Sequence, residues 1–104
     1  MELHTFSSLT KTFLLEYNAT MANASCAMVY FNPKTIEHKK LIPITEKDVL
    51  EGFGGDNIII TTNTNEILKF LHQQNWHESN LLLMSSGNFD GLDLQKVIQL
   101  VLGA

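Results

Sequence analysis

The hydrophobic period of the chain changes several times, and each change predicts an element of secondary structure. Short apolar runs at residues 26–31, 57–62 and 81–84 are typical of buried strands. Between them, apolar residues recur at steps of three and four in residues 7–21, 44–54, 63–75 and 92–102, which predicts helices. Helices that alternate with strands buried on both faces form parallel βα units. We therefore predict an α/β fold, a three-layer Rossmann-like sandwich with a short, mostly parallel sheet.

Capping signals support three of the predicted helices. Ser7 or Ser8 can cap the first helix, and Asn63 or Thr64 can cap the helix over residues 63–75. Residues 45–48 imitate a capping box, with Asp in place of the preferred Glu or Gln, and the glycines of residues 52–55 end that helix. In the last helix, the side chains expected to share the buried face are Leu94, Val97, Ile98 and Val101.

The chain opens as if already at the end of a strand, with only residues 1–5 before the first predicted helix. The sheet would then have three full strands and one very short strand, whereas sheets average about five or six strands. There is no internal repeat and no linker. We expect one domain over residues 1–104, cut on its N-terminal side from something larger.

Composition narrows the possible partners. A net charge of −4 with seven Lys and Arg argues against a nucleic-acid partner, and the basic residues 38–40 are typical of a solvated loop. No apolar run could span a membrane, and no segment resembles a signal peptide. The single cysteine, Cys26, fits a buried thiol in a reducing compartment. We expect a cytoplasmic protein without nucleic-acid or membrane partners.

Few residues have the spacing of a known catalytic or cofactor motif. The chain has no Gly-Lys-Ser/Thr phosphate loop and no G-x-G-x-x-G fingerprint. The Gly-rich residues 52–57 follow a helix and precede a strand, whereas a phosphate-binding loop follows a strand and precedes a helix. The four histidines and Cys26 have no metal-ligand spacing, so we predict no metal site. His4 is a candidate because it lies at the carboxyl end of the strand stub.

The segment "SSGNFDG" over residues 85–91 has the placement of a ligand-binding turn, between a predicted strand and a predicted helix. A nucleophile elbow is absent and Ser86 has no assigned base, which argues against a serine hydrolase. Asp90 and Asp93 would repel an added anion, whereas hydroxyl, amide and carboxylate groups suit an amine, an amide or a peptide end. The alternative is a structural turn in which Asp90 caps the last helix and Phe89 packs on the core.

The stretches "ELHTFSSLTKTFLLEY" over residues 2–17 and "LLLMSSGNFDGLDLQKV" over residues 81–97 resemble the C-terminal domain of the Mur ligases, ATP-dependent amide-forming enzymes of bacterial cell-wall synthesis. The likeness is to the branch that joins UDP-N-acetylmuramate to L-alanine or to the recycled tripeptide L-Ala-γ-D-Glu-meso-diaminopimelate. The turn over residues 5–8 has no arginine, and residues 85–91 differ from the Gly-rich loops of the alanine-adding enzymes, which favours the tripeptide-adding branch or a lineage-specific variant.

This resemblance implies that ATP phosphorylates the muramate carboxylate and that the amine of the incoming peptide or amino acid attacks the acyl phosphate. ATP and Mg²⁺ would be bound in the intact enzyme by other domains, so the isolated chain would bind neither and would be inactive. His4 and Ser7 would face the nucleotide side. The substrate-binding residues implied by the resemblance are Ser86, Gly87, Asn88, Phe89 and Asp90.

Two further expectations concern partners. A domain cut in this way would depend on the remaining domains of the ligase, and its uncovered sheet edge at residues 1–6 could promote self-association. The alternative is a free-standing α/β binding or interaction module that shares only the topology and has no catalytic role.

Overall fold

A computed structural model of the chain describes residues 1–103. Three parallel strands form one sheet in the order β1-β2-β3: β1 is Glu2–Leu3, β2 is Ala27–Phe31 and β3 is Ile58–Thr61. The α-helices are α1 (Pro33–His38), α2 (Glu46–Phe53), α3 (Thr64–Gln73) and α4 (Leu94–Leu102), and two 3-10 helices cover Ser7–Leu9 and Phe13–Tyr17. No helix among the described residues is both long enough and apolar enough to cross a membrane.

The sheet separates two apolar cores. Glu2 lies opposite Tyr30, and Tyr30 lies opposite Thr61, so these three side chains share one face of the sheet. The 3-10 helices, α1 and α2 cover the other face, and α3 and α4 cover the Tyr30 face. The core on the α2 side contains Leu3, Leu9, Leu14, Val29, Phe31, Ile36, Ile44, Val49 and Phe53. The core on the α3 side contains Tyr30, Ile67, Leu71, Phe89, Leu92 and Val97.

The predicted fold class is therefore confirmed: helices lie on both faces of a short, open, parallel sheet. Local signals explain the helix boundaries. Thr45 and Asp48 form the capping box of α2, and Gly54 ends that helix with a positive φ of 66°. Asn63 caps α3 by accepting the Asn65 N–H.

The sequence interpretation missed α1. Asn32 caps this helix and Pro33 stands at its first position, a combination typical of a helix start. Because Asn-Pro is equally typical of a turn, the sequence indicates only that the strand over residues 26–31 ends here.

The single helix predicted over residues 7–21 is wrong. Two short 3-10 helices replace it, although Leu9 and Leu14 are buried as expected. The Ser8 hydroxyl donates to the Thr5 carbonyl oxygen at 3.0 Å, and the Thr10 hydroxyl donates to the Phe6 carbonyl oxygen at 3.0 Å. Such side-chain bonds compete with the regular ladder of an α-helix, which interrupts it here.

The strand predicted over residues 81–84 is also wrong. The segment makes one backbone bond to the sheet, from the Glu2 N–H to the Met84 carbonyl oxygen at 2.9 Å, and the Leu82 side chain is 71% exposed. Because β1 has only two residues, it cannot pair with the rest of this segment. The chain therefore runs beside the sheet without joining it.

Two burial predictions need correction. In α4 the buried residue is Val97, with Val101 half-buried, whereas Leu94 and Ile98 are 52% and 47% exposed because only one side of the helix meets α3 and the sheet. Cys26 is exposed, since it precedes the first residue of β2 and lies outside the core.

Candidate functional site

The carboxyl ends of the three parallel strands meet at one edge of the sheet. On the α3 side of that edge lies a row of polar side chains, Glu2, Tyr30 and Thr61, which are 5%, 3% and 7% exposed. Buried polar groups at this density are costly unless each has a hydrogen-bond partner. The turn over residues 85–91 supplies partners for Glu2 and Tyr30, whereas the backbone of Asn63 supplies those of the Thr61 hydroxyl.

Glu2 connects the first strand to this turn. Its carboxylate accepts hydrogen bonds from the Ser85 hydroxyl and, at 2.9 Å, from the Phe89 N–H. The Ser85 hydroxyl oxygen in turn accepts the Gly87 N–H at 2.8 Å. The second carboxylate oxygen lies 4.0 Å from Nδ1 of His4. A single buried carboxylate thus organises the first half of the turn.

Tyr30 connects the second strand to the same turn. Its hydroxyl donates to Asp90 Oδ2 at 2.6 Å, and the Asn32 side-chain amide donates to the same oxygen at 3.2 Å. The Thr64 hydroxyl, at the start of α3, donates to the Phe89 carbonyl oxygen at 3.4 Å. Burial, together with the hydrogen bond to the Asp90 carboxylate, raises the pKa of Tyr30 to about 12. The phenol therefore stays a hydrogen-bond donor well above neutral pH.

The turn has a strained backbone. Phe89 and Asp90 have φ angles of 54° and 53°, and Gly91 follows with 85°. Left-handed conformations cost about 1–2 kcal/mol for residues other than glycine. The contacts of Glu2 and Tyr30 hold this conformation, and it directs the Phe89 ring into the core, where the side chain is 6% exposed.

Gly87 brings the turn close to the end of β1. A Cβ atom at this position would lie 3.0 Å from Glu2 Oε1 and 3.0 Å from Cδ2 of His4. Only glycine allows the backbone this near approach. Gly87 thus has a packing role on the surface formed by Glu2 and His4.

Among the predicted site residues, the structure buries Phe89 and leaves the others exposed or half-buried. Ser86 and Asn88 are exposed at the tip of the turn, and Asp90 is exposed with both of its hydrogen bonds on Oδ2. Phe89 belongs to the core. His4 lies beside Glu2 with its side chain 39% exposed, and Ser7 is exposed in the first 3-10 helix.

The structural alternative for this turn is half correct. Phe89 packs on the core as that alternative proposed. Asp90 does not cap α4: the helix begins three residues later than the alternative required, and Asp93 is its N-cap, accepting the Lys96 N–H at 3.2 Å. Asp90 instead pairs with the side chains at the end of β2.

Sequence reasoning missed the residues that support the turn. Glu2 and Tyr30 were treated only as strand residues, although a carboxylate or a phenol at the carboxyl end of a buried strand needs a polar partner. The sequence indicates Asn32 only as the residue that ends a strand and Thr64 only as a possible helix cap. Their role depends on contacts between distant parts of the chain, and the Tyr30–Asp90 bond alone spans 60 positions.

The chemistry of this edge is acidic. Residues 85–93 include Asp90 and Asp93 and no Lys or Arg. No three His, Cys, Asp or Glu residues among positions 1–103 are grouped so that they could hold a metal ion. Such a turn can accept hydrogen bonds from a cationic group through Asp90 Oδ1, and it can bind amide groups through Ser86 and Asn88.

Comparisons with protein-family models, with curated proteins and with solved structures found no match to this chain.

Proposed function

We propose that the turn over residues 85–91 binds the amine end of an amino acid or a short peptide. In this proposal the chain is the C-terminal substrate-binding domain of an ATP-dependent ligase that joins UDP-N-acetylmuramate to L-Ala-γ-D-Glu-meso-diaminopimelate or to L-alanine. The observation that carries the proposal is the acidic, rigidly held turn at the carboxyl edge of a parallel sheet, where α/β proteins commonly bind their ligands.

The charges of the turn favour an amine over a phosphate. An amine is protonated at neutral pH, and Asp90 offers it the carboxylate oxygen that Tyr30 and Asn32 do not use. The Asp90 side chain is fixed by hydrogen bonds from Tyr30 in β2 and from Asn32 just after it. It therefore loses little conformational entropy when it binds a ligand. Ser86 and Asn88 are exposed at the tip and can bond the carbonyl or carboxylate groups that follow the amine.

The residues of this chain do not fit ATP and Mg²⁺. The sequence lacks a phosphate loop, and the described residues lack a cluster of metal ligands. In the proposed enzyme the nucleotide and the metal would therefore be bound by other domains, with His4 and Ser7 on the side that faces them. The contribution of this domain would be to position the amine. The cytoplasm, where ATP is available, is the proposed location.

NMR titration of the chain tests the proposal directly. We expect L-Ala-γ-D-Glu-meso-diaminopimelate to shift the amide resonances of residues 85–91, and to bind more tightly than L-alanine. Asp90→Asn keeps an acceptor for Tyr30 but removes the charge, so it should weaken binding by roughly tenfold, the value of one charge-assisted hydrogen bond. Asp93→Asn is the matched control, because asparagine also caps helices.

Two outcomes would contradict the proposal. The first is the absence of any shift in residues 85–91 with either ligand at millimolar concentration. The second is an equal loss of affinity in the Asp90→Asn and Asp93→Asn variants, which would indicate a general charge effect. Either result would favour a free-standing interaction module.

A further inference from the structure

The chain has one aspartate that is followed by glycine, Asp90 in the turn over residues 85–91. The other aspartates, Asp48, Asp56 and Asp93, precede valine, asparagine and leucine. Glycine has no Cβ atom to shield its backbone nitrogen, so that nitrogen can approach the carboxyl carbon of a preceding aspartate. The bond between Asp90 and Gly91 is therefore the aspartyl bond of this chain that is most open to rearrangement into isoaspartate.

The rearrangement needs only water and has two steps. In the first, the Gly91 nitrogen forms a bond to Cγ of Asp90, and its proton and the hydroxyl of the protonated carboxyl group leave as water, which closes a succinimide ring. In the second, water adds to the former main-chain carbonyl carbon of Asp90, and the bond from that carbon to the Gly91 nitrogen breaks. The product has the same composition, but its chain runs through the former side chain and is longer by one methylene group.

In the folded turn, both reacting groups are held in other bonds. The Asp90 Oδ2 accepts from the Tyr30 hydroxyl at 2.6 Å and from the Asn32 side-chain amide at 3.2 Å. The Gly91 N–H donates to the Asn88 carbonyl oxygen at 3.3 Å. Rotation of the carboxyl group toward the Gly91 nitrogen moves Oδ2 away from both of its donors. Tyr30 is the stronger restraint, because its bond is the shorter one and its ring is anchored in the core.

The backbone of the turn favours opening once these bonds are lost. Residues 88–91 form a four-residue turn whose central residues, Phe89 and Asp90, have left-handed φ angles of 54° and 53°. Such angles are unfavourable for residues other than glycine, so opening relieves strain. Asp90 and Gly91 are exposed, and a Cβ atom built on Gly91 would have no atom within 4 Å beyond its chain neighbours. Water therefore reaches the bond without further unfolding.

We propose that the bond between Asp90 and Gly91 is an isomerisation site that Tyr30 and Asn32 keep closed, and that local opening of the turn sets its rate of conversion. Because the product has one more atom in the backbone of the turn, the original left-handed turn does not form again and the carboxylate leaves the Tyr30 hydroxyl. The inference needs no ligand, so it does not depend on the proposed function.

Mass spectrometry of the ageing protein measures the conversion. Trypsin cleaves after Lys69 and Lys96, so Asp90 and Asp93 lie in one peptide, and fragmentation by electron transfer distinguishes isoaspartate from aspartate at each position. A blocked synthetic peptide of residues 85–96 gives the rate without the fold. At neutral pH we expect isoaspartate at position 90 and none at position 93. The folded chain should be slower than the peptide by about tenfold or more, the value of one hydrogen bond to a charged group.

Two results of this comparison would overturn the inference. The first is conversion in the folded chain at the rate of the peptide, because the turn would then give no protection. The second is the absence of isoaspartate at position 90 in the peptide, or equal conversion at positions 90 and 93, because the glycine would then have no effect on the chemistry.

Variants separate the restraint by Tyr30 from overall stability. Tyr30→Phe removes the hydroxyl bonded to Asp90 and keeps the ring, so we expect conversion roughly tenfold faster than in the wild type. Asn32→Ser keeps a cap for α1 and removes the amide donor, so we expect conversion roughly threefold faster. Thr45→Ala is the matched control, because it weakens the cap of α2 without touching Asp90, and its rate should equal that of the wild type.

Equally fast conversion in Tyr30→Phe and Thr45→Ala would overturn the inference, because global unfolding would then control the site. Conversion as slow as in the wild type in both Tyr30→Phe and Asn32→Ser would also overturn it, because neither bond to the Asp90 carboxylate would then restrain the turn.

Discussion

Glu2 is the residue whose substitution tests most directly how the turn is held. Its side chain is 2% exposed, and its carboxylate accepts two hydrogen bonds from the turn, from the Ser85 hydroxyl and the Phe89 N–H. Glu2→Gln keeps the shape of the side chain and one acceptor oxygen. Glu2→Leu removes both acceptors and leaves the Phe89 N–H without a partner in a buried position.

The magnitudes of the two effects differ. A hydrogen bond to a charged group contributes about 1.5–3 kcal/mol net, roughly twice a neutral one, so Glu2→Gln should lower the free energy of unfolding by about 1–2 kcal/mol. Glu2→Leu loses both bonds, although it also removes the cost of burying a carboxylate, and should lower it by about 3 kcal/mol. Since domains are stable by about 5–15 kcal/mol, the leucine variant should lose a large share of its stability.

Urea unfolding followed by Trp76 fluorescence measures these differences, and amide exchange of Phe89 reports on the turn itself. The turn should open before the rest of the domain in Glu2→Leu, because Phe89 and Asp90 relax from left-handed conformations once the contact with Glu2 is lost. It should open less readily in Glu2→Gln, whose amide oxygen can still accept both bonds that Glu2 Oε1 accepts. If both variants unfold within about 0.5 kcal/mol of the wild type, the carboxylate does not hold the turn and the reasoning fails.

Three other predictions follow from local geometry. In Gly52→Ala the new Cβ would lie 2.7 Å from the Leu14 carbonyl oxygen, so the free energy of unfolding should fall by about 1–3 kcal/mol, although alanine is otherwise favoured inside a helix. A gain of stability in thermal unfolding would contradict the packing of Leu14 on α2. Tyr30 has a pKa raised from 10.0 to about 12, so its contribution to stability is complete below pH 10 and is lost as the pH rises toward 12. Urea titrations should show a smaller alkaline loss in Tyr30→Phe than in the wild type, where burial also raises the pKa of Tyr17. Asp48 has a pKa lowered from 3.8, chiefly because its carboxylate accepts the Thr45 N–H, so its contribution to stability is present above pH 3.8 and is lost as the pH falls through the lowered pKa. Thr45→Ala, which removes the helix cap, should lower the free energy of unfolding by about 1 kcal/mol at neutral pH, and Asp48→Asn should lack the loss of stability that Asp48 causes in acid.

The parts of the fold that could be predicted from the sequence depend on neighbouring residues. The capping box at Thr45 and Asp48 and the apolar spacing of α3 were correct, because caps and helical periodicity are set within a few positions. Residues 81–84 illustrate the limit. Four apolar residues in a row predict a strand, yet a strand needs a partner, and the two residues of β1 cannot provide one along its length.

The candidate site could be located but not assembled from the sequence. The turn over residues 85–91 was identified by its place between an apolar run and a helix. Its support by Glu2 and Tyr30 depends on contacts across 87 and 60 positions, which no local pattern reports. The same contacts explain why Asp90 does not cap α4, because its carboxylate is already bonded to the end of β2.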